Sequence, residues 1–518
     1  MNYDFDSLPD NSSALKKIIA ALSSSLEHKN EEIRLLRQAL FGPKSEKQPP
    51  GKSPQLPLFD MPENPPEEPE EEESVTVFEH TRRKKGRRKL PENLPRIDVI
   101  HDIPEEEKIC ACGCRLSRIG EEVSEKLDII PARIQVIRSI RPQYACRNCE
   151  GVEDDGPSVK RADAPPRIIP KGLATAGLPA YVVIAKFCDA LPFYRQEKQF
   201  LRLGIEISRS TMCSWAMKAA ESCQGILDLL HNEIRGGPLI NIDETTVQVL
   251  DEPGRSATQK SYMWVFRGGS PGNPVVIYQY HQTRSGDVAK LFLDDFAGVV
   301  QTDGYKGYDF LDNRLDILHV GCWAHARRKF VDVKKAGSGN KTGSADQALA
   351  MIKRLYALEK TARQKKMSVE QKYEIRQQQA KPILQKFKNW RDKRQDQVPP
   401  KSLLGKAINY CQAQWYRLEN YIQDGNAAID NNMVENAIRP FTLGRKNWLF
   451  SGTPAGARAS ALLYSLIETA KANNLEPYRY LRFLFEKLPS ASAEDLHHLL
   501  PTKLEPADII LPDQATGV

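Results

Sequence analysis

The sequence of 518 residues predicts a multidomain α/β protein. This class rests on an apolar heptad spacing near the amino terminus, on β-rich runs at 238–332, and on helical patterns at 170–232, 345–424 and 430–487. A small cysteine-rich module lies between the first helix and the rest of the chain. At about 100–200 residues per domain, the length suggests three or four domains.

Composition excludes several classes of protein. Apolar residues make up 40% and charged residues 27%, so the chain can bury a core and is not disordered throughout. No apolar run approaches the roughly 18 residues that span a bilayer, and the polar, acidic start lacks an apolar signal segment. We therefore expect a cytoplasmic protein without a membrane partner. Ten cysteines in such a chain favour metal ligands or free thiols over disulfides.

The first domain, residues 1–45, is predicted to be a coiled-coil helix. Apolar residues recur alternately four and three apart, with Lys29 as a single polar break: Leu15, Ile19, Leu22, Leu26, Ile33, Leu36 and Leu40. Such a seam pairs two helices and would make the protein self-associate. The alternative is an amphipathic helix that packs on its own chain.

Residues 46–98 are predicted to be a disordered linker, first acidic and then basic. Met61–Thr81 contains eight Glu and no Lys or Arg, so it cannot bury enough apolar surface to fold. Arg82–Lys89 follows with seven cations in eight residues. This run either contacts a phosphate backbone or is a solvated segment balanced by the acidic run beside it.

Residues 99–155 contain the cysteine-rich module. Its cysteines fall in two close groups: Cys110, Cys112 and Cys114, then Cys146 and Cys149. Tetrahedral Zn²⁺ takes four thiolates from two facing pairs, so four of the five are predicted to hold a structural zinc ion. The choice within the first group stays open, and a cluster of reduced thiols is the alternative. Arginines in the middle of the module suit contact with DNA.

Residues 165–235 are predicted to be helical, with a helix-turn-helix for DNA binding at their centre. Two helical segments flank a turn at Gly204, and Ser208 or Ser210 is expected to cap the second helix. The first turn of that helix places Arg209 and Ser210 where DNA-binding helices meet base edges or phosphates. Two ordinary packed helices are the alternative.

Three acidic residues in the region 236–455 are candidates for one catalytic site. Asp243 lies within an apolar strand, Asp303 ends a second strand before a glycine turn, and Glu435 opens a helix. Carboxylates are the usual ligands of hard cations. Two Mg²⁺ or Mn²⁺ ions held in this way clamp the attacking and leaving oxygens of a phosphoryl displacement.

Each acid also has an ordinary structural interpretation. Asp243 could be a strand-end acid held by a turn, and Asp303 could form an Asx turn before Gly304. Glu435 follows Asn432 by three residues and could complete a capping box. Their joint order along the chain, strand, strand and helix, favours the shared site.

Basic and aromatic residues follow the third acid: Arg439, Arg445, Lys446 and Trp448. Arg439 is four residues after Glu435 and shares its helical face, while Pro440 is expected to disrupt or kink the helix. Cations beside a carboxylate site suit a polyanionic substrate such as DNA. A solvated basic loop is the alternative.

His319, Cys322 and His325 lie after the second acid. The motif Cys322-Trp-Ala-His325 is too short for a complete metal site. We therefore expect these side chains to pack and orient the core.

The block around the third acid resembles a known family. Residues 429–450 contain Ile-Asp-Asn-Asn, then Glu435-Asn-Ala-Ile-Arg-Pro-Phe-Thr-Leu-Gly-Arg-Lys-Asn-Trp-Leu-Phe. This block is similar to that of IS66-family transposases, the enzymes of a group of bacterial insertion sequences. The resemblance covers most of the chain and includes the amino-terminal helix, the cysteine-rich module, the segments after Asp303 and Cys322, and Ser465–Pro489.

The resemblance implies a ribonuclease-H-like catalytic core for residues 236–455. It also implies that Asp243, Asp303 and Glu435 are the metal ligands of an Asp-Asp-Glu strand transferase. The 131 residues between Asp303 and Glu435 imply a helical insertion at about 335–425, and 456–518 form a carboxy-terminal helical segment and tail. The three-cysteine start of the zinc module departs from the Cys-x-x-Cys pattern of many relatives.

We therefore predict a DNA transposase that binds the ends of its insertion sequence and cleaves and joins DNA with Mg²⁺ or Mn²⁺. A structure-selective nuclease on the same core and a DNA-binding relic without activity are the alternatives. Expected partners are the terminal repeats, target DNA, a second copy of the chain and companion proteins of the same element. The expected location is the bacterial cytoplasm, at the nucleoid.

Overall fold

The computed structural model of the chain describes residues 134–145, 159–170, 172–336 and 343–510, together with single positions between 12 and 33. The chain divides into two compact units, Gln55–Ala164 and the remainder. In the smaller unit, strands β1 (Gln143–Ala145) and β2 (Val159–Arg161) form an antiparallel pair. The described positions between 12 and 33 are helical, as the heptad spacing predicts.

Four helices form the first part of the larger unit: α1 (Gly177–Phe187), α2 (Phe193–Arg202), α3 (Arg209–Ser222) and α4 (Gln224–Arg235). The turn between α2 and α3 contains Gly204, whose φ of 79° is a conformation that glycine adopts without strain. Ser208 caps α3, because its hydroxyl accepts a hydrogen bond of 3.1 Å from the Thr211 amide. The predicted helix pair and its cap are confirmed.

One mixed sheet follows, with strands β3 (Leu239–Gln248), β4 (Lys260–Ser270), β5 (Asn273–His281), β6 (Gly298–Gln301) and β7 (Ile317–Val320). Helix α5 (Asp287–Phe292) lies between β5 and β6 along the chain. The strand order is β5-β4-β3-β6-β7. The pairs from β5 to β3 are antiparallel, and those from β3 to β7 are parallel. β4 buries four successive residues from Met263 to Phe266, the pattern of a strand covered on both faces.

A group of helices follows the sheet: α6 (Trp323–Ala336), α7 (Ser344–Gln364), α8 (Val369–Ile375), α9 (Lys381–Gln395), α10 (Leu403–Ala413) and α11 (Trp415–Glu419). They bury an apolar cluster of their own, which includes Trp323, Phe330, Phe387 and Trp415. The helices predicted at 345–424 are therefore confirmed.

The β-rich region ends earlier than predicted. β7 ends at Val320, and the chain from Trp323 onwards forms α6 rather than strands up to position 332. Trp323, Ala326 and Phe330 are buried at spacings of three and four residues, which places them on one helical face. The helical spacing decides the structure here, and not the strand preference of individual aromatic residues.

Three further helices complete the larger unit: α12 (Asn432–Trp448), α13 (Pro454–Ala472) and α14 (Pro477–Lys487). α13 covers the outer strand β5. The hydroxyls of Thr469 and Ser465 accept hydrogen bonds of 3.0 and 2.8 Å from the amides of Val276 and Tyr278. These bonds satisfy edge donors that would otherwise be free to pair with another chain.

Pro440 was predicted to disrupt or kink α12; the disruption is not found, because the helix continues past this residue. The helix runs from Asn432 to Trp448 with Pro440 inside it. A proline there removes one helical hydrogen bond and costs about 3 kcal/mol. Ile438 and Phe441, on either side, are buried in the core, so tertiary packing holds the helix through the proline. Among the described residues, no helix is both long and apolar enough to cross a membrane.

Candidate active site

Two adjacent parallel strands bring Asp243 and Asp303 together. In the register of β3 and β6, Asn241 lies opposite Gln301. Asp243 follows Asn241 by two residues within β3, whereas Asp303 follows Gln301 by two residues and lies just beyond the end of β6, close enough for its charge to act on Asp243. Neighbouring strands lie about 4.8 Å apart, which makes these acids neighbours across the sheet.

A network of buried amide side chains ties the start of α12 to these strands. Asn241 Nδ2 donates to Gln301 Oε1 at 2.9 Å and to Asn431 Oδ1 at 3.0 Å. Asn431 Nδ2 donates in turn to the Ile242 carbonyl at 2.9 Å. Leaving a buried partner unpaired would cost about 1–3 kcal/mol, so the network fixes the helix start. Sequence reasoning missed it, although polar residues beside acids in apolar strands were a usable signal.

Glu435 lies in the first turn of α12. Its amide donates to the Asn431 carbonyl at 3.2 Å. The capping-box interpretation is wrong, because Asn431 precedes the helix and its third residue is Val434. His325 Nδ1 lies 3.7 Å and Arg328 Nη2 lies 3.9 Å from the Glu435 carboxylate.

The three acids share a site with an excess of negative charge. Burial raises the pKa of Asp243 well above its usual value, and neighbouring carboxylates raise it further: Glu244, Asp303 and Glu435. Burial also raises the pKa of Glu435, and the charge of Arg328 opposes this rise only in part. In the described part of the chain, Glu435 Oε1 is buried without a hydrogen-bond partner. Divalent cations bind clusters of carboxylate oxygens, so this donor set fits the predicted ions.

Glu244, the next residue after Asp243, has a different environment. Its carboxylate accepts a hydrogen bond of 2.5 Å from Arg284 Nε and another from the Tyr308 hydroxyl. Successive strand residues point to opposite faces of a sheet. Glu244 is therefore a paired structural acid, whereas Asp243 faces the other two candidates.

Asp303 also makes the turn contact that the sequence allowed. Its Oδ1 accepts a hydrogen bond of 2.8 Å from the Tyr305 amide, which is the contact of an Asx turn. This bond engages one carboxylate oxygen and orients the group. The Asx turn and the shared site are therefore compatible.

Cys322 and His325 reach the same site, which the sequence interpretation did not foresee. Cys322 is buried, as a core-packing role requires, and the Asn431 amide donates to its Sγ at 3.3 Å. His325 does more than pack, because its Nδ1 faces the Glu435 carboxylate. A cysteine and a histidine three residues apart, directly after the strand β7, were the signal available.

The residues predicted to contact DNA from the helix-turn-helix lie on the surface. Arg209 and Ser210 are exposed in the first turn of α3. The Arg209 amide donates to Glu197 Oε1 at 3.0 Å, and the hydroxyls of Ser210 and Ser208 are 2.8 Å apart. Arg209 and Ser210 thus lie exposed at a helix start whose backbone is held by side-chain hydrogen bonds.

The residues predicted to contact DNA from α12 differ in exposure. Lys446 is exposed and Arg439 is half-buried. Arg445 Nη1 donates to the hydroxyls of Thr245 and Thr246 on β3, at 3.1 and 3.2 Å. The half-buried Trp448 ring packs edge-on against Phe441, with centroids 5.3 Å apart, so it contributes to the core. The prediction of a DNA contact thus fits Lys446 better than Trp448.

The cysteines of the predicted zinc module lie outside the residues that the structure describes: Cys110, Cys112, Cys114, Cys146 and Cys149.

Family models match most of the chain. The model of the family described as "Transposase IS66 family" matches residues 171–459, more than half of the chain. Others match the zinc-finger binding domain of transposase IS66 at 107–150 and the IS66 C-terminal element at 465–502. A model described as "Transposase C of IS166 homeodomain" matches residues 29–99.

Two similar proteins come from Sinorhizobium fredii (strain NBRC 101917 / NGR234). The uncharacterized protein y4jD is 37% identical over 429 residues, which are 80% of this chain and 81% of y4jD. The uncharacterized protein y4qI is 34% identical over 428 residues, which are 80% of this chain and 76% of y4qI. Together with the family models, these matches show that the chain belongs to the IS66 family of transposases.

Proposed function

We propose that the chain is an Asp-Asp-Glu transposase that cleaves DNA at the ends of its insertion sequence and joins them to target DNA. The observation that carries the proposal is that Asp243 lies on β3 and Asp303 just after the neighbouring strand β6, with Glu435 on a helix whose start is hydrogen-bonded to these strands. The mixed five-stranded sheet with its helical insertion supports a ribonuclease-H-like core.

Asp243, Asp303 and Glu435 would hold two divalent ions, with Mg²⁺ or Mn²⁺ as the expected metal. Such ions supply Lewis acidity and stabilise the charge of an in-line phosphoryl displacement. The amide network around Asn431 would keep Glu435 aligned with the strands. The Asx turn would hold the orientation of Asp303.

The reaction has two displacements at phosphorus. In the first, water attacks a phosphodiester at the element end, the P–O3′ bond breaks, and a free 3′-hydroxyl remains. In the second, that hydroxyl attacks a target phosphodiester, forms a new P–O3′ bond and releases a target 3′-hydroxyl. Neither step needs a covalent protein–DNA intermediate, so no serine or tyrosine nucleophile is required.

DNA recognition is assigned to several basic features of the chain. Arg209 and Ser210 would meet one element end, while Arg439, Arg445 and Lys446 would contact phosphates near the acids. The cysteine-rich module would add a zinc-stabilised DNA-binding domain, and the amino-terminal helix would join copies into a synaptic complex. We also propose that the protein acts with companion proteins of the same element and that it associates with the nucleoid.

The test uses labelled duplex DNA from the flanks of the gene, purified protein, and Mg²⁺ or Mn²⁺. We expect nicked and then joined products from the parent and neither from Asp243→Asn or Glu435→Gln. Asp251→Asn, which changes an exposed aspartate just beyond β3, is the matched control and should retain both activities.

The alternatives give different results in the same assay. Nicking without joining would favour the nuclease. DNA binding without metal-dependent cleavage would leave a binding relic and contradict the catalytic proposal.

A further inference from the structure

A second set of metal-binding atoms surrounds the third acid. Cys322 directly precedes α6, and His325 lies in the first turn of that helix. The Cys322 Sγ, a ring nitrogen of His325 and a carboxylate oxygen of Glu435 all lie within 4.8 Å of one another. The start of α6 and the start of α12 thus present sulfur, nitrogen and oxygen to one point.

Two of these atoms are buried without a hydrogen-bond partner in the part of the chain that the structure describes. They are His325 Nδ1 and Glu435 Oε1, which are 3.7 Å apart. Buried polar atoms nearly always have a hydrogen bond, so a carboxylate oxygen and a ring nitrogen that face each other at 3.7 Å without one call for an explanation. A bound cation would satisfy both. The Asn431 amide meanwhile holds the Cys322 sulfur in place at 3.3 Å.

The donor set selects a class of metal. Thiolate and imidazole suit borderline-soft ions such as Zn²⁺, whereas Mg²⁺ prefers oxygen alone. Ligand atoms around tetrahedral zinc lie roughly 3.3–3.8 Å apart, as follows from Zn–ligand bonds of about 2.0–2.3 Å. The nitrogen–oxygen separation of 3.7 Å between His325 and Glu435 is a few tenths of an ångström longer than zinc requires, and the sulfur needs a shift of roughly 1 Å. Three protein ligands leave the fourth position open to water.

We propose that Cys322, His325 and Glu435 form a zinc site that withdraws Glu435 from the catalytic carboxylates and thereby inhibits DNA cleavage. The inhibitory consequence rests on the proposed function, whereas the zinc site itself does not. Binding forms a zinc–sulfur bond and releases the Cys322 thiol proton to solvent, with no change in oxidation state. Zinc would then hold the enzyme in a state that binds DNA without cutting it.

Zinc content tests the site without any measurement of activity. Full-length protein is loaded with zinc chloride, dialysed, and analysed for zinc per chain by elemental mass spectrometry. We expect Cys322→Ser and His325→Gln each to hold one zinc fewer than the parent. Cys213→Ser and His498→Gln change exposed residues of the same types and should match the parent. Equal zinc contents in the parent and in both site variants would overturn the proposal.

The His325 side chain is about a quarter exposed, so His325→Gln is expected to fold even if Cys322→Ser does not, and the test stays valid.

A second measurement separates this proposal from the catalytic one. The loss of even an outer-shell partner lowers metal affinity roughly 10–100-fold. Suppression of Mn²⁺-supported nicking by Cys322→Ser should therefore require at least about tenfold more zinc than suppression of nicking by the parent. Asp243→Asn should lose nicking and keep the extra zinc. If Asp243→Asn still nicks DNA, the catalytic proposal fails, but the evidence for the zinc site from zinc content is unaffected. If the parent and Cys322→Ser respond to zinc alike, the inhibitory site is excluded.

Discussion

At the scale of single residues, burial raises the pKa of both neighbours Asp243 and Glu244, but the two acids differ in the side chains around them. Burial and like charges raise the pKa of Asp243, so its ionised form destabilises the metal-free protein. Glu244 is held by Arg284 and Tyr308, so its loss would leave a partly buried cation without its partner. Two acids on the same strand are therefore expected to differ in what they contribute to stability.

We predict that Asp243→Asn stabilises the protein by about 1 kcal/mol in buffer without Mg²⁺, because it removes a buried, repelled charge. Glu244→Gln should instead destabilise it by about 1–3 kcal/mol. Urea unfolding of both variants and the parent measures the difference. Destabilisation by Asp243→Asn would show that the charge is compensated in the folded chain.

His319 provides a pH-dependent contribution to stability. The side chain is buried, with Nδ1 2.6 Å from Asp312 Oδ1 and Nε2 2.8 Å from Thr302 Oγ1. Burial lowers the pKa of His319, although Asp312 opposes this, and Arg417 lowers the pKa further. The folded state therefore binds the proton less readily than the unfolded state. The contribution of His319 is fully present above about pH 6.5 and is lost as the pH falls through its lowered pKa.

We expect His319 to lower the free energy of unfolding of the parent relative to that of His319→Gln as the pH falls from about 7.5 to about 5.5, whereas the raised pKa of Asp243 acts in the opposite direction in both proteins. Glutamine removes the titrating group while keeping a polar side chain at the position. Urea unfolding of the parent and of His319→Gln at both pH values measures how the free energy of unfolding of each protein changes with pH. Identical slopes in the parent and the variant would assign the pH dependence to other groups.

At the scale of elements, the start of α12 is fixed by side chains of distant strands in addition to its own flanking residue Asp430, whose carboxylate accepts a hydrogen bond from the Asn432 amide. Asn431 uses its amide group for Asn241 and Ile242 and makes no side-chain cap of the helix. Contacts that fix Glu435 thus come from β3 and β6, about 190 and 130 positions away in sequence. A helix propensity argument finds the helix but not this attachment.

Arg209 is exposed in the first turn of α3, and we propose that it contacts a DNA phosphate. We predict that Arg209→Ala weakens DNA binding and lowers the slope of log affinity against log salt by about one. Arg479→Ala, an exposed arginine on α14, is the control and should leave the slope unchanged. Fluorescence anisotropy with duplex DNA at several salt concentrations measures both. An unchanged slope for Arg209→Ala would favour the alternative of two ordinary packed helices.

At the scale of the whole molecule, the amino-terminal seam has exposed apolar residues. Ile19, Leu22, Leu26 and Ile33 are between 43% and 65% exposed. A helix packed on its own chain would bury such residues, so their exposure supports pairing with a second copy. Self-association would place two catalytic domains in one complex.

We predict that Leu22→Glu with Leu26→Glu shifts the protein to monomers, because charges replace two apolar seam positions. Ser13→Glu, outside the seam on the same helix, should leave assembly unchanged. Sedimentation velocity at several protein concentrations distinguishes the two results. If the double variant assembles like the parent, the interface between copies does not lie at this seam.

The sequence by itself determined the local elements and the candidate acids. The sequence predicted helices at 345–424 and 430–487, and apolar runs between turn residues predicted a strand that contains Asp243 and a second strand that leads to Asp303. These signals are local, since each depends on a few neighbouring residues that share one face. The resemblance to the transposase family came from the same local blocks.

Only the tertiary structure decided which side chains meet. The register of β3 with β6 makes Asp243 and Asp303 neighbours, and the Asn431 network brings Glu435 to them. The approach of His325 to Glu435 joins residues 110 positions apart, for which no local pattern exists. Packing also carried α12 through Pro440, against its local preference. Contacts between distant segments depend on how whole elements bury their apolar faces, and a pattern within one segment cannot report them.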